Sequence, residues 1–291
     1  MMSVVSIVHE SRQEDAIWGA LDLLPLDDLF RDKVVGIKPN ETWASPADLT
    51  AVTQADTLEA MLAYVQKRRP RRLLVLGGAG GCETEEVFRL CGLMDVVRRY
   101  GVEFVDTNRP PHVRVPLAFG PEKELIVNPV VNEIETWVSL ALLKVHDTTD
   151  VTLSLKNIGM ALPAADYYGH PRIKLSHRKQ AMSDFIVGVV QRFPISLAVI
   201  TGHLAMVDRG PIGGRTLDTG WVIASRDPVA ADAVGALMLG YDPARIHHLV
   251  AAHQLGLGQN DPARLEIRGV PLTEAVSRFQ TQAYGGPRRI R

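Results

Sequence analysis

A strand, a glycine loop, a helix and a second strand follow one another between residues 73 and 105, and this unit constrains the fold more than any other feature. Residues 73–76 (Leu-Leu-Val-Leu) are continuously apolar, and Gly77, Gly78, Ala79, Gly80 and Gly81 come directly after them. A helical block over 84–100 stops at Gly101, and 102–105 reads as the next strand. An uninterrupted apolar strand is covered on both faces, and strands joined through a helix pair in parallel. The unit therefore predicts a βαβ crossover.

The rest of the chain repeats the alternation. Residues 4–8 and 33–37 are β-branched runs, the second ending at Lys38-Pro39-Asn40, and 49–65 carries leucine and alanine at helical spacing. Pro110, Pro111, Pro116, Pro121 and Pro129 make 107–135 irregular, either an excursion or a boundary between lobes 1–106 and 136–279. Residues 136–145 resume as a strand leading into His146. Met182, Phe185, Ile186, Val189, Val190 and Phe193 then mark one face of a helix. Strands follow at 195–200, 221–224 and 265–267. Asp227-Pro228 opens a helix that Gly240 closes, and Asp242-Pro243 with Gly256 repeats that punctuation. A flexible tail is expected over 280–291. The predicted architecture is α/β: a mostly parallel sheet flanked by helices, one domain over 1–291, with two lobes and a cleft between them.

Composition removes several functions. Lys and Arg number 32 against 33 Asp and Glu, and 46% of residues are hydrophobic, which excludes a disordered chain and argues against a polybasic nucleic-acid binder. Aromatic residues, at 6%, are too few for base-stacking platforms. Cys82 and Cys91 cannot supply the four ligands of an iron–sulfur cluster, and with no disulfide framework a reducing cytoplasm is the expected setting. The longest mainly apolar stretch, 194–207, is shorter than the roughly 18 residues a span requires and contains His203. Glu10, Glu14 and Asp15 stand where a leader would be cleaved, so no membrane association is expected.

The glycine loop fails as a dinucleotide fingerprint. Started at Gly78, the GxGxxG pattern meets Glu83 in its last place; started at Gly77, it meets Ala79 in its second. The denser block is 140–157. A strand delivers Lys144 and His146 on one face at its C-terminal end, where open α/β sheets bind ligands. Thr152 and Lys156 are spaced i, i+4, with Asn157 beside them. Such a set suits an anion, although a solvated strand end with helix caps would read the same. Tyr167, Tyr168, His170 and His177 occupy an irregular segment, where histidines point more to function than buried ones do. Residues 208–215 could cradle a carboxylate through Arg209, Gly213 and Gly214, or be a plain glycine turn. Asp232 sits in an alanine-rich helix and is either exposed or deliberately paired. His247, His248 and His253 match no metal-binding spacing.

These residues bring a resemblance with them. Ile-Lys38-Pro39-Asn40, Leu-Lys144-Val-His146, Thr152-Leu-Ser-Leu-Lys156-Asn157-Ile-Gly159, a following His177, Gly210-Pro211 with Gly213, and Ala-Ser225-Arg-Asp227-Pro228-Val-Ala230-Ala-Asp232 occur in an order that resembles the domain of unknown function 362 family. The family often has Asp-Gly where this chain has Thr201-Gly202, and an acid in the loop that here is residues 78–81. Many relatives append a ferredoxin-like module with a cysteine set, which this sequence lacks. More distantly, the order of strand, histidine, lysine-bearing turn and second histidine is similar to the N-terminal domain of lactate racemase-type enzymes, without their Ser-Gly-Gly stretch. That likeness implies His146 and His177 as an acid/base pair assisted by a nickel cofactor, with Lys156 near the substrate carboxylate.

The leading expectation is an enzyme that isomerises, epimerises or eliminates on a small anionic metabolite by histidine-assisted proton transfer. His146, His177 and Lys156 would be catalytic; Lys38, Asn40, Lys144, Asn157, Arg209, Gly213, Gly214 and Asp232 would bind substrate. The alternatives are a metal- or cofactor-dependent oxidoreductase, with a divalent metal on His146, His177 and Asp232, and a non-enzymatic accessory protein that holds an anionic ligand or a cofactor. Neither the cofactor nor assembly into a homo-oligomer can be read from the residues.

Overall fold

The computed structural model describes residues 2–288. In chain order the elements are β1 (Ser3–His9), α1 (Gln13–Asp22), β2 (Val34–Pro39), α2 (Ala55–Gln66), β3 (Arg72–Gly77), α3 (Thr84–Leu90), α4 (Leu93–Tyr100), β4 (Glu103–Asp106), β5 (Val113–Pro116), β6 (Glu124–Val127), β7 (Thr136–His146) and β8 (Asp150–Val151). There follow α5 (Leu153–Gly159), α6 (Ala165–Tyr168), α7 (Lys179–Arg192), β9 (Leu197–Val207), β10 (Arg215–Leu217), β11 (Trp221–Ser225), α8 (Pro228–Met238), α9 (His247–Gln254), β12 (Leu265–Gly269) and α10 (Leu272–Tyr284).

One sheet of order β12-β1-β11-β9-β7-β2-β3-β4 organises the chain, with β8 added to β7 and β10 to β9. Pairing is parallel from β9 through β7, β2 and β3 to β4, and between β1 and β12; β11 runs against both its neighbours. The βαβ unit and the mostly parallel α/β sheet are therefore present. All eleven residues of β7 are buried, as a central strand covered on both faces requires. One face packs its alternate residues (Ile37, Val75, Leu140, Val199, Val222) on α1 to α4. The other packs Ala141, Leu143, Ile200 and Ile223 on α5, α7, α8, α9 and α10.

Several boundaries differ from the sequence reading, each for a local reason. The two lobes are not separate bodies, because β1 lies between β12 and β11 and stitches the first residues into the last. Residues 107–135 are not a domain boundary: β5 and β6 form a small antiparallel pair whose Val115, Leu125 and Val127 join the core over β7. The helix expected over 49–65 starts only at Ala55, since Val52 pairs with Glu41 and Thr53 is tied to Asn40 and Leu140. Gly92, in the left-handed region at φ 71°, splits the 84–100 block into α3 and α4. The tail expected from residue 280 begins later: α10 continues to Tyr284, and Gln280 is buried, donating to the Leu237 carbonyl. Residues 289–291 of that tail lie outside the described residues.

Candidate functional site

From β2 the chain crosses one face of the sheet through α2 to β3, and from β7 it crosses the other face through α5 and α7 to β9. The loops leaving β2 and β7 thus part company, and the gap between their C-terminal ends is the place where open α/β sheets bind ligands. A cavity of about 500 Å³ lies there, bordered by Lys38, Asn40, Glu41, His146, Lys156 and Asn157 among others.

Its floor is a set of buried charges and amides. Lys38 Nζ donates to both Glu41 carboxylate oxygens at 2.5 Å and to the Pro39 carbonyl at 2.7 Å. The Gly78 amide donates to Glu41 Oε1 at 2.6 Å, so this pair is saturated. Burial pushes the Lys38 ammonium down and the Glu41 carboxyl up from their ordinary values. Beside them Lys144 Nζ donates to Asn40 Oδ1 at 2.8 Å and Thr42 Oγ1 at 3.0 Å, while Asn40 Nδ2 donates to Asn157 Oδ1 at 3.1 Å. Asn157 returns its own amide to the Lys38 carbonyl and Ser139 Oγ. Asn40 and Asn157 thereby lock the ends of β2 and α5 together. Burial first, and the Lys156 charge second, bring Lys144 down to about 7.

Lys156 differs from the other two lysines. It lines the cavity, and among the described residues its ammonium has neither a carboxylate nor a hydrogen-bonding partner. Burial, reinforced by the Arg172 charge, holds it at about 8. The helix that carries it is fixed from behind by Asp232, whose Oδ1 and Oδ2 accept the Ser154 and Leu155 amides at 2.8 and 2.9 Å. Asp232 is fully buried, and burial raises its carboxyl to about 8 against the pull of those amides. The substrate-binding and metal-ligand roles expected of Asp232 therefore fail: both oxygens are spent on α5, and the residue does not border the cavity.

The two histidines are not equivalent. His146 Nδ1 accepts the Thr148 and Thr149 amides at 3.1 and 3.3 Å, so it carries no proton and the neutral ring has its hydrogen on Nε2. Burial, then Lys156 and Lys144, depress its pKa to about 2. It is a fixed neutral donor, which corrects the expectation that it forms half of a symmetrical acid/base pair. His177, at the exposed mouth, is the reverse case. Its Nε2 lies 3.3 Å from the Arg172 carbonyl and can only donate to it, which leaves an open lone pair on Nδ1. Thr152 and Met182 line the same cavity as both rings.

Arg172, overlooked in the sequence, closes the opposite side. It is 1% exposed; its Nε donates to the Pro163 carbonyl, and its terminal nitrogens donate to the Gly78, Ala79 and Ala161 carbonyls and Asn108 Oδ1. One guanidinium thus clamps the glycine loop to the segments around 108 and 161. The loop is no phosphate cradle, because its amides are already taken: Gly78 by Glu41, Ala79 by Thr84 Oγ1, Gly80 and Gly81 by the Thr42 carbonyl. The anion-cradling role expected of Arg209, Gly213 and Gly214 fails as well. Arg209 and Gly213 are exposed and none of the three borders the cavity, whereas their neighbours Pro211 and Ile212 do. His146, His177 and Asp232 do not gather as ligands, and no group of three His, Cys, Asp or Glu among the described residues is placed to hold a metal ion.

The signals for Glu41 and Arg172 were faint. Glu41 follows Lys38 by three residues in an ordinary loop, and Arg172 follows a proline with a left-handed φ of 63° that no sequence pattern announced. Trp43, Met160 and Ile212, also on the cavity wall, carry no polar motif at all.

Fold and site together define a three-layer α/β protein with a cation-rich crevice at its switch point. Within that class the chain belongs to the family of the domain of unknown function DUF362, whose model matches residues 35–237 and so spans every element around the crevice up to α8. No curated protein matches it. A solved Thermotoga maritima protein, a structural-genomics target, aligns with a TM-score of 0.41 and 11% identity over 90% of this chain and 62% of its own length. That likeness is too slight to inform the site. The distant likeness to lactate racemase-type enzymes is not shown by these matches. No helix among the described residues is long and apolar enough to cross a membrane.

Proposed function

We propose that this protein is an enzyme that binds a small carboxylate in the crevice and moves a proton at the adjacent carbon. The observation that carries the reading is the Lys156 ammonium, which faces a cavity whose sole bordering acid among the described residues, Glu41, is already neutralised by Lys38. A half-buried cation such as Lys156 without a counter-ion is costly unless a ligand supplies the charge. The carboxylate would lie against Lys156, with the His146 Nε2–H donating to the oxygen that gains charge when a carbon acid ionises.

His177 Nδ1 then takes the proton. An exposed imidazole with a free lone pair can serve as a general base, and returning the proton to another atom, or letting a β-substituent leave, gives isomerisation or elimination. A locked His146 cannot accept a proton from the other side, so two-base epimerisation is disfavoured. The metal version of the oxidoreductase alternative loses support, since its expected set of His146, His177 and Asp232 does not converge among the described residues.

The test is proton–deuterium exchange in heavy water, followed by NMR over a panel of 2-hydroxy, 2-oxo and unsaturated acids. Wild-type protein should exchange the α-hydrogen of at least one acid. His177→Asn should bind that acid yet lose exchange by about 100-fold or more, and Lys156→Met should lose binding. Acids that bind through Lys156 but are never turned over would make this an anion-holding accessory protein instead.

A further inference from the structure

The cavity is larger and less polar than a two- to four-carbon acid needs. At about 500 Å³ it falls in the range of sites for ligands with a substantial body. Lys38, Glu41, Asn40, Lys156 and Asn157 form its floor, where β2 and α5 meet, while His146, Thr152, Arg172 and His177 also line it. The walls above are Trp43, Met160, Pro171, Met182, Pro211 and Ile212. These come from five separate segments, so their agreement in character is not a by-product of one apolar helix face. Ile212 of the wall and Ile173 just outside it invite a ligand in particular. Ile212 is 40% exposed at the mouth, and Ile173, 67% exposed, directly follows Pro171 and Arg172 of the wall. Large apolar side chains held in water at the rim of a pocket gain by being covered. Met160 and Met182 add thioethers that adapt to a body of variable shape.

We propose that the site takes an amphiphilic carboxylate, an aryl or medium-chain acyl acid whose head lies on Lys156 and whose apolar body lies between Trp43, Met160 and Ile212. This rests on the carboxylate reading above and narrows it: short, fully polar hydroxy acids would fill only the floor.

Calorimetric titration of the full chain at pH 7 with butyrate, hexanoate, octanoate and phenylpropionate tests it. Affinity should rise along the straight-chain series by up to about fourfold per methylene, the yield of burying each one, and phenylpropionate should bind more tightly than butyrate. Ile212→Asp and Trp43→Ala should flatten the series, and Lys156→Met should weaken every member by about 10-fold or more. A flat series in the wild type that still depends on Lys156 would overturn the apolar body while leaving the carboxylate reading intact. No binding by any member, or a series unchanged in Lys156→Met, would overturn both, the latter because the acids then bind elsewhere. Ile212→Asp changes an exposed loop residue, so its effect is readable even if Trp43→Ala fails to fold.

Discussion

Replacing Lys156 by Met should make the unliganded protein more stable while abolishing its binding of anions. The lysine is held at about 8, against an ordinary 10.5, by burial and by the charge of Arg172. An unfolded chain therefore binds more protons than the folded one between these two values, and wild-type stability must rise with pH across that window. Below about pH 8 the folded protein bears the whole cost of a desolvated cation. At 1.36 kcal/mol per unit that cost is about 3 kcal/mol at pH 7, falling to about 1 kcal/mol by pH 10. Screening at the cavity mouth trims it to about 2 kcal/mol at neutral pH. Met keeps the unbranched stem and its packing, so little is lost in exchange. Urea denaturation of both proteins at pH 7, 9 and 10 measures the difference directly. The variant should be more stable at pH 7 by about 2 kcal/mol, with the gap narrowing as pH rises. If Lys156→Met is less stable than wild type, or the gap does not change with pH, Lys156 is not an unpaired cation and the carboxylate reading loses its foundation.

Asp232→Ala removes the only side-chain acceptors of the Ser154 and Leu155 amides, and two buried donors left unmade should cost about 2–4 kcal/mol; the same variant should weaken carboxylate binding, because α5 carries Lys156. Gly78→Ala places a Cβ 2.5 Å from the Ala161 carbonyl oxygen and 2.8 Å from Thr107 Oγ1, so the wall must shift. A loss of about 1–3 kcal/mol in urea denaturation is expected. His203 is raised by its hydrogen bond to Asp56 and by Asp218. Its contribution is thus complete below the unfolded value near 6.5 and lost as pH rises through the higher folded value. With both aspartates half exposed it is worth about 1 kcal/mol or less, and His203→Asn should lower stability at pH 5.5 but not at pH 9.

What could be read from the residues was whatever depends on neighbours in sequence. The period-two placement of Lys144 and His146 at a strand end, the Thr152–Lys156 spacing and the Asp227-Pro228 helix start each follow from local geometry, and each is found where it was expected. The residues that joined distant segments were illegible or misread. Glu41 matters because Gly78 reaches it from thirty-seven positions away, and Arg172 because four carbonyls and an amide from three segments surround it. Asp232 looked like a ligand for the same reason: a buried carboxylate in an alanine-rich helix is unusual, but only the fold reveals that α5 begins against it. Arg209, Gly213 and Gly214 were chosen for chemistry that a glycine turn shares with any surface loop.

The glycine loop is where the difference between motif and mechanism is clearest. A run of five small residues after a parallel strand ordinarily serves a phosphate with free amides. Here the small residues serve proximity: Gly78 has a backbone oxygen and a threonine hydroxyl where a side chain would be, and that closeness lets its amide reach Glu41. Glu41 can then hold Lys38 in a saturated pair, and Lys38 occupies the acid that borders the cavity among the described residues. The anion binding proposed for the crevice would therefore not come from a surplus of positive charge, since the chain has a net charge of −1. It would come from consuming the local carboxylate elsewhere. On this logic a Glu41→Gln substitution, which frees Lys38, should add a second unpaired cation and destabilise the empty protein rather than simply improve its affinity for anions.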